Sequence, residues 1–522
     1  TLDDTYNIGM ISLAQPEDSG YYGRVRVYAK DESGKEQQVS NVTIGQRTDE
    51  NGRKYYLIKI PGGISTQELR VCVGHPYWMP SVTIAEMRLH TYDSLEDDIF
   101  ALYADDLHIT LNGNVNEETI NALQTRLDTP DAGGAYHPDR ALLQKELDNA
   151  RGLLSQTSLG GSIVINNAMV PSRDNGLGIT GLNAWQPLGV SAAAGEIVVL
   201  YVGSEGSATG DSTPLELVAT QQYAEHNTVS KVVGSLKIGR NELTIPQLQT
   251  IAAEQGGALY VQYASNAKYD ASKQYVVRVD GGTVFPVLNV RGMTDETQRN
   301  EAITAYVQQL EAYVSSLQAS HESEHAGSSF TSVSSHEYDE KTCILNTTDI
   351  VMDHMMFSVP ASQILKGLSG DSTQKAQQLA SSINAMEQAM ELFYQHKGLT
   401  TLSGAGDKND TPWQQLNIRY QRMFAGAFMY AAGNHIGIEW GSVPGLAAGQ
   451  PVVLDEAGKY VSGDLFGWGI AHEIGHEINQ SAYAVAEVTN NYFAQLATYA
   501  NGAARFGYDA VYDKVTSGTT GP

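Results

Sequence analysis

Cysteine is nearly absent from this chain of 522 residues, which carries only Cys72 and Cys343. The two fall in segments of different character, which argues against a disulfide, and neither has metal-ligand spacing. Long apolar runs are missing too: none approaches the ~20 residues that a membrane-spanning helix requires. Basic residues are scarce, 33 against 59 acidic ones, and the net charge of -26 argues against a nucleic-acid partner. The chain begins at Thr1 without a methionine or a basic-then-apolar leader. That start reads as a mature or trimmed fragment, and it leaves secretion open.

What is present is a globular composition, 42% hydrophobic, in a chain long enough for three or four domains. Its most informative stretch is Gly467-Trp468-Gly469-Ile470-Ala471-His472-Glu473-Ile474-Gly475-His476-Glu477-Ile478. On a helix His472 and His476 are four residues apart, so both imidazoles leave one face and can hold the same ion. Zinc held by two imidazoles needs a third protein ligand and an open position for water, whose pKa then falls to about 7. Glu473, beside them, is placed to take that water's proton as it attacks a carbonyl. After the polar break Asn479-Gln480-Ser481, the run from Ala484 to Leu496 predicts a second helix, and Glu487 is its only acid. A returning helix would aim Glu487 at the metal, with Asn491 one turn on as a candidate to fix a ligand's outer atom.

A second match, His321-Glu322-Ser323-Glu324-His325, even has an acid downstream at Glu337. Context separates the two. The first is flanked by Ile470, Ala471 and Ile478, as a helix beneath an active site requires. The second runs into Ala326-Gly327-Ser328-Ser329, a loop composition. Its histidines continue the stripe Ile303, Val307, Leu310, Val314, Leu317 of the preceding helix and read as packing or surface residues.

Along the chain, residues 1–92 alternate as strands do and read as a β-sandwich. Tyr77 and Trp78 make it a candidate carbohydrate-binding module, although such aromatics more often fill a sandwich edge. Residues 93–156 carry leucines at helical spacing, broken by Pro130-Asp131-Ala132-Gly133-Gly134, and read as a helical connector. Residues 157–290 return to strands and a second β-sandwich; the glycine-rich loop 203–210 lacks the Lys-Ser/Thr of a phosphate loop. From Thr294 the chain reads as mainly helical. One helix carries Ile303 to Leu317, another opens at Asp371-Ser372 and stops at Gly398. A third runs through Arg422 to Tyr430. The stretch His435 to Trp440 then reads as an extended edge to which a peptide can add. His435, Trp440 and Trp468 are candidates to line the cleft, with ordinary packing an equal alternative.

The His-Glu-Ile-Gly-His at 472 to 476, the preceding Gly467-Trp468-Gly469, and Glu487 in Glu-Val-Thr-Asn-Asn resemble the enhancin-like zinc metallopeptidases. These are viral enhancins and bacterial mucin-degrading enzymes of the gluzincin type. Gly256-Gly257-Ala258-Leu259-Tyr260 and Val277 to Gly282 are similar to the sandwich before that family's catalytic domain. The resemblance covers residues 157–522. It implies a multidomain α+β chain in which β-sandwich modules precede a mainly α-helical gluzincin zinc-peptidase domain, 291–522. It implies a secreted or cell-surface zinc endopeptidase cutting O-glycosylated proteins such as mucins next to a glycosylated Ser or Thr. Carried over, His472, His476 and Glu487 hold Zn2+ and Glu473 is the general base. Such domains usually continue with more helices, so the end at Pro522 points to a catalytic domain truncated at its C-terminus. Two other readings stay open: a glycan-binding adhesin with a structural or disabled zinc site, and another zinc hydrolase such as an aminopeptidase.

Overall fold

The computed structural model describes all residues except 15–23, 32, 49–52, 75–82, 132–133, 156–161, 172–177, 180, 222–228, 247–255, 325–345, 400–408, 422–427, 481 and 503–522. Tyr77, Trp78, His325, Glu337, Cys343 and the first part of the helix expected over Arg422 to Tyr430 therefore lie outside the described residues.

The fold is mixed α+β. At the N-terminus, a four-stranded and a three-stranded sheet share one core of Ile8, Ile11, Leu13, Val27, Ile58 and Ile60. Tyr6–Ala14 forms antiparallel ladders with both Lys54–Thr66 and Glu86–Thr91. It is buried almost continuously from Ile8 to Ala14, and Ile8, Ile11 and Leu13 enter the shared core. Three helices follow, Leu95–Phe100, Glu117–Leu127 and Arg140–Leu154. They close on their own leucine core, and Asn116 caps the second by accepting a hydrogen bond from the Thr119 amide. Sheets of four and five strands then enclose a third core, in which Val198, Leu200 and Val202 face Leu215, Leu217 and Leu259.

Charged side chains weld these parts together. Asp139, ahead of the third helix, accepts hydrogen bonds from Arg47 and Lys59 of the first sheet, each at 2.5 Å. Arg47 also reaches Glu242 of the later sandwich. Burial opposes ionisation of Asp139, but the two cations hold its carboxyl well below the usual range. Nearby, Glu146 receives His108, Arg240 and Tyr201.

The C-terminal part departs from the mainly helical expectation. A six-stranded sheet runs through it, containing Val287–Asn289, Thr348–Val351, Met355–Val359, Leu416–Tyr420, His435–Ile438 and Met429–Ala432 in spatial order. Met429 and Tyr430, expected in a helix, form the edge strand instead. Alanine and methionine favour helices, but the tight turn at Gly433, φ +65, lets this segment fold back and pair with His435–Ile438. His435–Ile438 is consequently interior, paired on its other side with Leu416–Tyr420, and is not the exposed edge. Two long helices cover the sheet. Glu296–Glu324 buries Ile303, Val307 and Leu310. Ser372–His396 begins with a full capping box between Asp371 and Gln374 and buries Leu379, Ile383, Met386, Met390 and Phe393.

Candidate metal centre

The helix Gly467–Ile478 buries Ile470, Ala471, Ile474 and Ile478 in the large C-terminal core. The opposite face carries His472, Glu473 and His476, all partly exposed. An amphipathic helix with its polar stripe turned away from the core gives this distribution. The two imidazole centroids stand 4.9 Å apart, with planes at 81°.

The second segment is built differently from the helix expected over Ala484 to Leu496. The helix starts only at Asn491 and runs to Ala500. Residues 486–490 form a turn, and Glu487 takes a left-handed backbone, φ 61. The left-handed backbone of Glu487 interrupts the helix. The Thr489 hydroxyl accepts from the Val485 amide and donates to the Val485 carbonyl, both at 3.0 Å, and the Thr489 amide donates to the same carbonyl at 2.9 Å, so the turn closes on itself. The turn nevertheless brings Glu487 to the histidines. Its two carboxylate oxygens lie 3.2 Å from His472 Nε2 and 3.2 Å from His476 Nε2, and the donor atoms of the three side chains lie within 4.8 Å of one another. Glu487 is 70% exposed, so as a bare ion pair this contact contributes little to stability.

Asn491 closes the arrangement. Its Oδ1 lies 2.7 Å from His472 Nδ1, and its Nδ2 donates to the Glu487 carbonyl at 2.7 Å. With the proton on Nδ1, His472 Nε2 turns a lone pair toward Glu487, the tautomer a metal requires. Two imidazole nitrogens and a carboxylate, with one outer nitrogen already tied, form a donor set that suits zinc. Glu473 is half-buried; burial raises its carboxyl, His472 opposes the shift and Glu487 adds to it. His476 is shifted down, chiefly by burial.

The cleft candidates are distributed unevenly. His435 is only 5% exposed, with Nε2 3.0 Å from the Tyr430 hydroxyl and burial holding its pKa at about 3. Trp440 is 8% exposed and packs edge-on against Tyr420 at 5.6 Å. Both are buried, His435 within the interior strand His435–Ile438 and Trp440 in the turn just after it. Trp468 is partly buried against the same core at the first turn of the metal helix. His321 lies on the helix Glu296–Glu324, away from the metal helix in sequence and element.

Three residues went unremarked in the sequence. Glu477 is 6% exposed, and burial raises its carboxyl to about 8, against the opposing pull of Arg419. Arg419 is buried with its guanidinium 3.6 Å over the Trp185 ring, and burial lowers it to about 9. Asn490 is fully buried between the metal helix and the Glu487 turn. Glu477, directly after the motif and on its buried flank, was the one with a signal in the sequence.

No protein-family model matches the chain, and no curated protein does. Among solved structures, the CBM32-1, CBM32-2 and M60 catalytic domains of Clostridium perfringens ZmpB align with TM-score 0.51 and 21% identity, over 95% of this chain and 46% of that one. A metallopeptidase from Bacteroides thetaiotaomicron aligns with TM-score 0.48 and 16% identity, over 78% of this chain and 56% of that one. The M60 catalytic domain of Clostridium perfringens ZmpC, solved in complex with the sialyl T antigen, gives TM-score 0.46 and 20% identity, over 65% of this chain and 57% of that one. This chain thus spans about half the length of the structures it matches. Its structural neighbours are M60, enhancin-like metallopeptidase domains, and this chain is similar in fold to the part of the ZmpB assembly with which it aligns.

Proposed function

We propose that the chain is a secreted or cell-surface zinc endopeptidase that cuts mucin-type O-glycoproteins next to a glycosylated Ser or Thr. In this reading two β-sandwich modules and a helical connector precede a peptidase domain that starts near residue 291. The observation that carries it is the convergence of His472, His476 and Glu487 from a helix and a separate turn, with Glu473 on the same helical face. The preference for O-glycoproteins rests on the family resemblance and on the likeness in fold to the ZmpB assembly. Fold likeness by itself is weak support for a substrate.

His472 Nε2, His476 Nε2 and Glu487 would hold the ion, and Asn491 fixes the outer nitrogen of His472. An ion held there would supply a Lewis acid for the scissile carbonyl and bring the pKa of an attacking water to about 7. Glu473 accepts the proton of the attacking water and returns it to the leaving amine. Its burial raises the carboxyl toward the working pH, which suits a residue that must both accept and donate. The edge strand Met429–Ala432 packs against the metal helix, with the Met429 methyl close to Gly469. Among the described residues no further strand pairs with its outer side, which would offer backbone groups to an extended substrate.

The test is cleavage of an O-glycosylated mucin peptide and its unglycosylated twin, followed by mass spectrometry, with the native chain and Glu473→Ala. The expected result is a cut in the glycosylated peptide alone, lost in the variant. Equal cleavage of both peptides refutes the substrate assignment. Undiminished cleavage by Glu473→Ala refutes the site.

A further inference from the structure

Two tight turns meet where the second sandwich adjoins the six-stranded sheet. The first, at 290–293, is closed by the Met293 amide donating to the Val290 carbonyl at 3.1 Å, with Gly292 in the left-handed region, φ +71. It carries Arg291. The second links Thr348–Val351 to Met355–Val359 and is closed by the Met352 amide donating to the Met355 carbonyl at 2.8 Å. It carries Asp353. Glu387 of the helix Ser372–His396 accepts from the Asp353 and His354 amides at 2.7 and 3.2 Å, which fixes this turn from behind. The Gly292 amide donates to Asp353 Oδ1 at 2.7 Å and ties the two turns together.

Arg291 and Asp353 line one cavity of about 440 Å³, yet they do not pair with each other. The Arg291 guanidinium donates to the Trp413 carbonyl and, at 3.0 Å, to the Met169 thioether, a weak acceptor. Both acceptors belong to residues of the cavity wall, so the guanidinium stands at that wall. Among the described residues no carboxylate reaches ion-pair distance of it. Burial lowers its pKa, and Asp353 and Glu387 oppose the shift from across the gap. Asp353 Oδ2 is met by no donor among the described residues, since Gly292 takes only Oδ1. Two opposite charges are thus held apart by their backbone ties, each with hydrogen-bonding capacity left over.

That arrangement selects a ligand class. A simple anion at Arg291 is repelled by Asp353, and a simple cation at Asp353 is repelled by Arg291. A molecule carrying both charges a few bonds apart satisfies the two at once. The half-buried Ile163, Pro187 and Trp413 give the cavity an apolar side, and its volume is within the ~300–1,000 Å³ of small-molecule sites. We propose that this cavity binds a zwitterionic α-amino acid with an apolar side chain, its carboxylate on Arg291 and its ammonium on Asp353. Because Ile163 and Pro187 come from the sandwich and the two charges from turns of the C-terminal sheet, the bound ligand bridges the two parts.

The test is titration calorimetry on the metal-free full chain, so that no ion takes up the amino acid, with L-leucine, N-acetyl-L-leucine and L-leucinamide as probes. The second lacks the ammonium and the third lacks the carboxylate. L-Leucine is expected to bind at one site, and each analogue about tenfold or more weakly, through loss of one charge-assisted contact. Arg291→Gln and Asp353→Asn, the latter keeping an acceptor for the Gly292 amide, are expected to weaken L-leucine by a similar factor, with thermal melting as the check on folding. Absence of L-leucine binding overturns the proposal. Equal binding of all three probes does so as well, because it shows an apolar cavity that ignores charge. Native affinity in both variants puts the ligand elsewhere and overturns it too. If the variants unfold, the three probes on the native chain decide. The measurement involves neither metal nor peptide cleavage, so its outcome is independent of the peptidase reading.

Discussion

Replacing Gly475 by Ala sets two effects of opposite sign against each other. Gly475 is inside the metal helix, and at an exposed helical site this change stabilises by about 1 kcal/mol through helix propensity. Here the new methyl carbon would sit 2.4 Å from the Asn490 carbonyl oxygen, 2.9 Å from its Cα and 3.0 Å from its carbonyl carbon. These are backbone atoms, which cannot turn aside as a side-chain end can. Relieving the contact requires the 486–490 turn to retreat by roughly 1 Å, and overpacking of this kind costs about 1–3 kcal/mol. The clash outweighs propensity, and the metal site bears the larger loss. The same turn carries Glu487, and metal–ligand distances tolerate only about 0.2 Å. Gly475→Ala is therefore expected to melt at or below the native temperature in chelator and to lose most of the rise in melting temperature that zinc gives the native chain. Scanning calorimetry with and without zinc reads both. A variant that melts higher in chelator and keeps the native zinc response would refute the packing argument.

Two further outcomes follow from the buried charges. Asp139→Asn leaves Arg47 and Lys59 without their shared carboxylate, and breaking a buried pair from one side costs about 3–5 kcal/mol. The lowest-temperature calorimetric transition should shift downward at pH 7. Because the Asp139 carboxyl is depressed in the fold, its contribution is full above the ordinary aspartate value, ~3.9, and is lost as pH falls through the folded value. The gap between native and variant should accordingly close in strong acid, and a gap that widens there contradicts the assignment. Asp349 behaves oppositely. Burial raises it to about 7, against hydrogen bonds with Ser358 and Tyr260, the latter donating to Oδ1 at 3.0 Å. A raised carboxyl stabilises below its unfolded value, and that stability is lost as pH climbs through about 7. Asp349→Asn should thus match the native chain near pH 4 and exceed its melting temperature at pH 8; a native-like decline in the variant removes Asp349 as the cause.

Much of the candidate metal site was legible because it is local. Two histidines four residues apart meet on one helical face in any chain that folds this stretch as a helix. The apolar residues around them determine which face is buried, and Asp371 with Gln374 marks a helix start by hydrogen bonds three residues apart. The apolar spacing of Ile303, Val307 and Leu310 likewise places a helix without outside information. The low cysteine count and the absence of long apolar runs bound the chain from composition alone.

The tertiary structure decided whatever depends on partners distant in sequence. Ala484 to Asn490 reads as helix by periodicity, yet the left-handed backbone of Glu487 and the close packing of Asn490 against Gly475 make it the loop that delivers Glu487. Met429 and Tyr430 have helical neighbours in sequence, yet a strand waiting beyond Gly433 makes them an edge. His435 and Trp440 are common cleft residues, yet the sheet order buries the first and packing on Tyr420 buries the second. Arg47 and Glu242 stand 195 positions apart and still share a contact. Spacing along the chain specifies which side chains share a helical face, because the helix repeat is fixed by the backbone. Which turn, strand or carboxylate meets that face depends on long-range packing, and no local period encodes it.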